Sequence, residues 1–284
     1  MHDISAKFFI VFKDSYFFLK LFITDTDIAY ITKSNEKWRD FIMNNLLIII
    51  VLLSCILVHE FGHFLIAKVL EYEVEEFSVG VGPKIISKKW HNTVYSLRLI
   101  PLGGYVRFDE EELVKQSGWK HMFVSLAGSS MNFISVIVCV FIINCIGNDG
   151  TYSLFEILKF SFFTFGQLTE QFIIAFWELI SSGFGNFLGA ASGPIGIVAE
   201  SGQMMTSGDL TISSLIIMLN LNLGVLNLLP IPILDGFNVI VEFIRWVTKK
   251  RMEKPVYYMQ AAGAIMLMTL IIVIIGNDLI KLFA

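Results

Sequence analysis

The sequence predicts a membrane protein of the all-α class with a small β element. It should have about four transmembrane helices, a membrane-associated β-hairpin region on the cytoplasmic side and an interfacial amphipathic helix. Three observations lead there. The 284 residues are 55% hydrophobic and only 16% charged, against about 25% charged in ordinary soluble domains, and the mean hydropathy is +0.69. The apolar residues gather into long runs instead of alternating. The basic residues, finally, collect in a few connecting segments.

The spans follow from length. A helix needs about 20 apolar residues to cross the hydrocarbon core. Leu46–Ala67 supplies 22, Met122–Asn148 27 and Leu210–Leu234 25, and Val256–Asn277 is uncharged as well. The expected spans are therefore about 46–68, 122–147, 210–234 and 256–277. The stretch Leu154–Ile180 is also apolar, but it contains Glu156, Lys159, Glu170 and Glu178. It reads as an amphipathic helix over 154–180 lying at the interface, with dipping or spanning as the alternative.

Between the first two spans, Phe77–Pro83 and Thr93–Leu99 have strand character, and Pro101-Leu102-Gly103-Gly104 punctuates them. This gives a β region over 74–108. Residues 71–121 hold seven Lys/Arg and residues 245–254 hold five. With four spans both segments fall on one side, the cytoplasm by the positive-inside rule. Residues 1–42, with six Lys/Arg, read as an extension ahead of a natural start at Met43 or as an amphipathic leader resting on the membrane. Residues 43–284 form the functional domain. The net charge of −4 gives no basic field for nucleic acid. Cys55, Cys139 and Cys145 lie inside apolar runs without metal or disulfide spacing. His2, His91 and His121 fall outside the spans and read as ordinary surface residues.

The chemistry sits in the first span. His59-Glu60-Phe61-Gly62-His63 is an H-E-x-x-H motif. On a helix, positions i and i+4 share a face, so both imidazoles can hold one metal ion, zinc by the motif. Glu60 is placed next to that face as a general base for water. Ionisable groups in hydrocarbon are costly, which favours function over interhelical hydrogen bonding as their explanation. A hydrolytic zinc site needs a third protein ligand. Asp235 is the best candidate, at the end of Asn227-Leu228-Leu229-Pro230-Ile231-Pro232-Ile233-Leu234-Asp235-Gly236. Two prolines break a helix there, and irregular backbone at membrane depth occurs only when buried or lining a cavity. Service as a helix N-cap is the other reading of Asp235. With His59 thirteen residues into its span and Asp235 at the inward end of another, both groups fall in the cytoplasmic half of the bilayer and can meet.

Together these residues resemble the site-2 protease family of intramembrane zinc metalloproteases, in particular the bacterial regulator of sigma-E protease branch. The matching elements are His59 to His63, Phe77 to Gly82 and Pro101 to Val106, then Ala127-Gly128 to Asn132-Phe133, Gly193-Pro194-Ile195 and Asn222 to Gly236. They recur in the family's order and span nearly everything from residue 43 onward. The resemblance implies one Zn2+ per chain held by His59, His63 and Asp235, with Glu60 as the catalytic base. It implies substrate-backbone contacts by Asn222 and Asn227, and a membrane-associated β-hairpin loop at Gly103 and Gly104. Interhelical hydrogen bonding is the alternative role for the two asparagines. The implied substrates are single-span membrane proteins or signal peptides, cut in or near the membrane, and the implied setting is the bacterial cell membrane with the site toward the cytoplasm.

Two departures stand out. Many relatives carry a PDZ domain between the second and third spans. Here Asp149 to Ser192 is only 44 residues, largely apolar, too short for a domain of the usual 50 or more. The helix at 154–180 is the remaining candidate gate. Ser129-Ser130 also stands where the family commonly has proline. The competing non-enzymatic reading is a membrane chaperone or transporter with a structural zinc site, which would have no use for Glu60 beside both histidines. Membrane lipids are expected partners and nucleic acid is not.

Overall fold

The computed structural model describes residues 25–108, 118–183, 185–186, 189, 191–249 and 253–283. The expected N-terminal extension lies outside the described residues as far as residue 24. From Asp25 the chain is helical: α1, Asp25–Val69, runs unbroken through Met43. In an apolar run a helix satisfies every backbone polar group within itself. The helix stops where Glu71 turns left-handed (φ 65°) and the Tyr72 N–H donates back to the Ala67 carbonyl at 2.9 Å.

Two long antiparallel strands follow, β1 (Val74–Trp90) and β2 (Thr93–Phe108). Both bend back on themselves, β1 at Gly80 and Gly82 (φ 86° each) and β2 at Gly103 (φ 97°). Glycine alone adopts these angles without a Cβ penalty. Residues Phe77, Ser78 and Val79 consequently pair on both sides, with Tyr95, Ser96 and Leu97 on one and with Val106, Tyr105 and Gly104 on the other. Residues 84–90 pair in turn with the outer side of 93–98. Glu76 ties these segments together. Its carboxylate accepts from Ser96 Oγ (2.6 Å), Arg98 Nη2 (2.9 Å), Lys84 Nζ (3.0 Å) and Arg107 Nη2 (3.1 Å). Burial pushes the Glu76 carboxyl upward, but Ser96, Lys84 and Arg98 outweigh it and hold the group at about 2. The tip of the hairpin presents Ile85, Ile86 and Trp90 outward.

The remaining helices are α2 (Gly118–Gly147), α3 (Leu154–Ser181), α4 (Pro194–Ser207), α5 (Ile212–Asn227), α6 (Asp235–Thr248) and α7 (Glu253–Phe283). Ile48, Val51 and Cys55 of α1 pack on Leu215 and Leu219 of α5. Val136 and Val140 of α2 pack on Leu221, also of α5. Where α1 meets α2 a Cβ on Gly62 would strike the Ala127 carbonyl, so the two backbones approach at small residues. Ser153 and Glu156 form a capping box that starts α3. This helix doubles back along α2, with the Phe165 and Phe133 rings 5.5 Å apart.

Among the described residues, three helices are long and apolar enough to cross a membrane: Ile42–Val69, Gly118–Gly147 and Lys254–Ile280. Their outward faces are apolar, as at Ile142, Ile146, Ile265 and Ile272. The expected span 210–234 is not a single helix. α5 covers 16 residues and stops at Asn227, a length of about 24 Å. Leu228–Leu234 is irregular because Pro230 and Pro232 have no N–H to extend the ladder. Hydropathy does not register the break, since the irregular stretch is as apolar as a helix would be.

Candidate metal centre

α1 carries His59, Glu60 and His63, with His59 buried on the face toward α2. One turn separates the histidines, and their Nε2 atoms lie 3.3 Å apart. The third group arrives from the opposite direction. At Ile231–Leu234 the chain makes a turn closed by the Leu234 N–H on the Ile231 carbonyl at 3.0 Å. Pro232 rests on α7, where a Cβ on Gly263 would lie 2.5 Å from the Pro232 Cβ. Ile233 is held at φ 92°, a conformation that costs a β-branched residue on the order of 1–3 kcal/mol and occurs where surrounding contacts impose it. α6 then starts at Asp235, and Gly236 lets the backbone fold against the Leu228 and Leu229 carbonyls.

The outcome is a tight triangle. Asp235 Oδ2 lies 3.1 Å from His59 Nε2 and 3.2 Å from His63 Nε2. Asp235 thus opens α6 and does not close the preceding span, and the N-cap position belongs to Leu234. That removes capping as its role.

The donor set has the spacing of a cation site. One ligand atom from each of the three residues lies within 4.8 Å of the others. Ligand distances of about 2.0–2.2 Å in a tetrahedral site correspond to donor–donor edges of about 3.3–3.6 Å, slightly longer than the 3.1–3.3 Å observed. Asp235 Oδ2 is buried, and two imidazole nitrogens face it at 3.1 and 3.2 Å. A buried carboxylate oxygen converging with two imidazole nitrogens fits a divalent ion. The residues fit zinc.

Further atoms frame the triangle. His63 Nδ1 is 2.7 Å from the Val124 carbonyl, and His59 Nδ1 is 3.2 Å from the Asn132 amide. A Cβ on Gly128 would stand 2.7 Å from His59 Nε2 and closer still to His63 Nε2. Only glycine lets α2 approach here. Gly104 lies against Glu60, its notional Cβ 2.9 Å from Glu60 Cγ and 2.7 Å from the Ser78 carbonyl. Gly103 sits at the bend beside it, 3.9 Å from Val81 by the same measure. Asn222 is half-buried on α5, and Asn227 is the last residue of that helix, at the start of the stretch leading to Asp235.

Sequence reasoning assigned no role to Gly128, Asn132 or the Val124 carbonyl. A signal for the first two was present. A small-residue run at Ala127 to Ser130 and an asparagine close behind it in an uncharged span both mark close helix contacts.

Sequence comparisons with known proteins agree with this geometry. Residues 47–271 match the description "Peptidase family M50". A protein of Fusobacterium nucleatum is 26% identical over 340 aligned positions, covering 85% of this chain and all of that protein. One of Clostridium perfringens is 26% identical over 323 positions, covering 80% and 96%. One of Clostridium acetobutylicum is 24% identical over 318 positions, covering 79% and 94%. The names of all three mark them as inferred zinc metalloproteases. With the family matched across most of the chain, and two histidines and an aspartate gathered in the donor arrangement of a metalloprotease, the chain belongs to peptidase family M50.

Proposed function

We propose that this protein is a zinc endopeptidase that hydrolyses peptide bonds in or near the membrane-spanning segments of single-span proteins or signal peptides. The observation that carries the reading is the meeting of His59, His63 and Asp235 within 3.1–3.3 Å, inside a bundle whose helices are apolar enough to cross a membrane. Zinc held by these three residues supplies a Lewis acid for the scissile carbonyl and for water. Glu60, beside His59 on the same helix, takes the proton from the attacking water and delivers it to the departing amide nitrogen.

A helical substrate hides its peptide bonds in its own hydrogen bonds, so it must be drawn out before attack. Residues 104–108 pair on one side with 74–79 and run past Glu60 at Gly104. An extended segment added along their other side would lie beside the base. Asn222 and Asn227 carry amides able to pair with the freed backbone groups.

Four crossings are the proposed topology, the third made by α5 together with the irregular stretch to Leu234. Basic residues at 71–121 and 245–254 support a cytoplasmic placement of the sheet and the start of α7. The bacterial cell membrane is the proposed location. The packing of Phe165 against Phe133, fourteen residues inside the end of α2, favours an α3 that dips into the membrane over one lying wholly at the interface.

The test is reconstitution in vesicles with a labelled single-span substrate, the products being mapped by mass. Cleavage within or next to the span, abolished in Glu60→Gln and in Asp235→Asn, is expected. Cleavage that survives in Glu60→Gln would overturn the assignment.

A further inference from the structure

An imidazole that binds a metal through one nitrogen must carry its proton on the other, and the partner of that second nitrogen selects the tautomer. For His63 the partner is settled. The Val124 carbonyl, 2.7 Å from Nδ1, can only accept, so Nδ1 holds the proton and Nε2 keeps its lone pair. For His59, among the described residues, a side chain stands where a backbone carbonyl serves His63. His59 Nδ1 lies 3.2 Å from Nδ2 of Asn132, which comes from α2 and is fully buried.

With the amide nitrogen facing the ring, Asn132 donates and His59 Nδ1 accepts. The His59 proton then sits on Nε2, among the three donors, where it opposes a cation. In the same orientation the buried Asn132 Oδ1 lacks any partner. The two ends of a side-chain amide are nearly identical in shape. A half-turn of the amide brings Oδ1 to the His59 Nδ1–H, gives the oxygen a donor and frees the Nε2 lone pair.

We propose that Asn132 is a positioning residue whose side-chain oxygen holds His59 in the tautomer that binds metal through Nε2. It does for His59 what the Val124 carbonyl does for His63. This assignment rests on the zinc reading above.

The experiment measures zinc affinity by chelator competition on the full chain in detergent, comparing wild type with Asn132→Leu, Asn132→Asp and Asp235→Asn. Melting of each protein is followed without metal. Leu fills the space without an acceptor, and a loss of 10–100-fold is expected, as for other second partners of metal-bound histidine. Asp offers only acceptor oxygens and is expected to keep affinity within about threefold of wild type. Nitrogen-15 spectra of histidine-labelled Asn132→Asp should place the His59 proton on Nδ1. Wild-type affinity in Asn132→Leu overturns the proposal. So does an equal loss in Leu and Asp variants that both melt like wild type. If Asn132→Leu does not fold, a loss beyond tenfold in Asn132→Asp overturns it. Should wild type bind no zinc, or Asp235→Asn bind as wild type does, the metal reading itself falls and this proposal with it. If Asp235→Asn loses zinc while Asn132→Leu does not, only the role of Asn132 falls.

Discussion

Gly128→Ala asks how closely α2 must approach the two histidines. The new methyl would sit 2.7 Å from His59 Cε1 and Nε2, and nearer to His63 Nε2. Ordinary contact for a Cβ begins at 3.4 Å, so the rings or the helix must yield by at least about 0.7 Å. Metal sites tolerate roughly 0.2 Å in ligand distance, and the deficit is more than three times that. Overpacking of this kind costs about 1–3 kcal/mol, a fraction of the stability of a folded protein. The expected result is a folded protein with a lowered melting temperature and a zinc affinity reduced at least tenfold. Chelator competition on the purified chain reads the affinity, and thermal melting reads the fold. Ser130→Ala, at an exposed position two residues on, serves as the control and should bind as wild type does. Wild-type affinity in Gly128→Ala would show that the close contact has no bearing on the donor triangle.

Three further outcomes follow from the same contacts. A Gly104→Ala methyl meets Glu60 Cγ at 2.9 Å and the Ser78 carbonyl at 2.7 Å; proteolysis should fall at least tenfold while zinc content is kept, and parallel assays of the two would show it. Glu76, 3% exposed and held at about 2 against an ordinary 4.5, contributes stability above pH 4.5 that is lost as pH falls toward 2. Lys84 and Arg107 are 42% and 54% exposed and regain water when the carboxylate is protonated, so the loss is set at about 1–3 kcal/mol, chiefly by Ser96 and Arg98. Amide protection in residues 74–108, taken relative to the intrinsic exchange rate at each pH, should fall across this range in wild type and stay flat in Glu76→Gln. Asp278, from α7, accepts the N–H groups of Gly193 (3.2 Å) and Gly196 (2.8 Å) and so caps α4, whose own cap residue has no side chain. Asp278→Leu should cost about 2 kcal/mol, the upper end for a lost cap, read as a drop in melting temperature.

The parts legible in the sequence are those with a short-range signature. Two histidines four apart share a helix face whatever surrounds them, and strand character in 77–83 and 93–99 marked a sheet that the structure bears out. The apolar runs located the long helices. The third run holds both α5 and an irregular stretch, because apolarity reports immersion or burial and not conformation. Leu228–Leu234 is uncharged yet not helical, and its prolines carry the information that its hydropathy lacks. For the same reason α4 and α6 were not expected as separate helices. Contacts that depend on which helix face meets which were beyond reach. The placement of Asn132 beside His59 and of Gly128 beneath both rings follows from the crossing of α1 and α2, fixed in part by Gly62 against the Ala127 backbone. The cap supplied by Asp278 joins residues 82 and 85 positions apart. No local pattern encodes it.

As proposed, His59, His63 and Asp235 form one zinc site that Glu60 serves without binding it. Zinc per polypeptide in the detergent-purified full chain tests this most directly, for wild type, Glu60→Gln and Asp235→Asn. One zinc in wild type, one in Glu60→Gln and a marked loss in Asp235→Asn is the predicted pattern. Absence of zinc from wild type after reconstitution, or retention of wild-type zinc by Asp235→Asn, would contradict it.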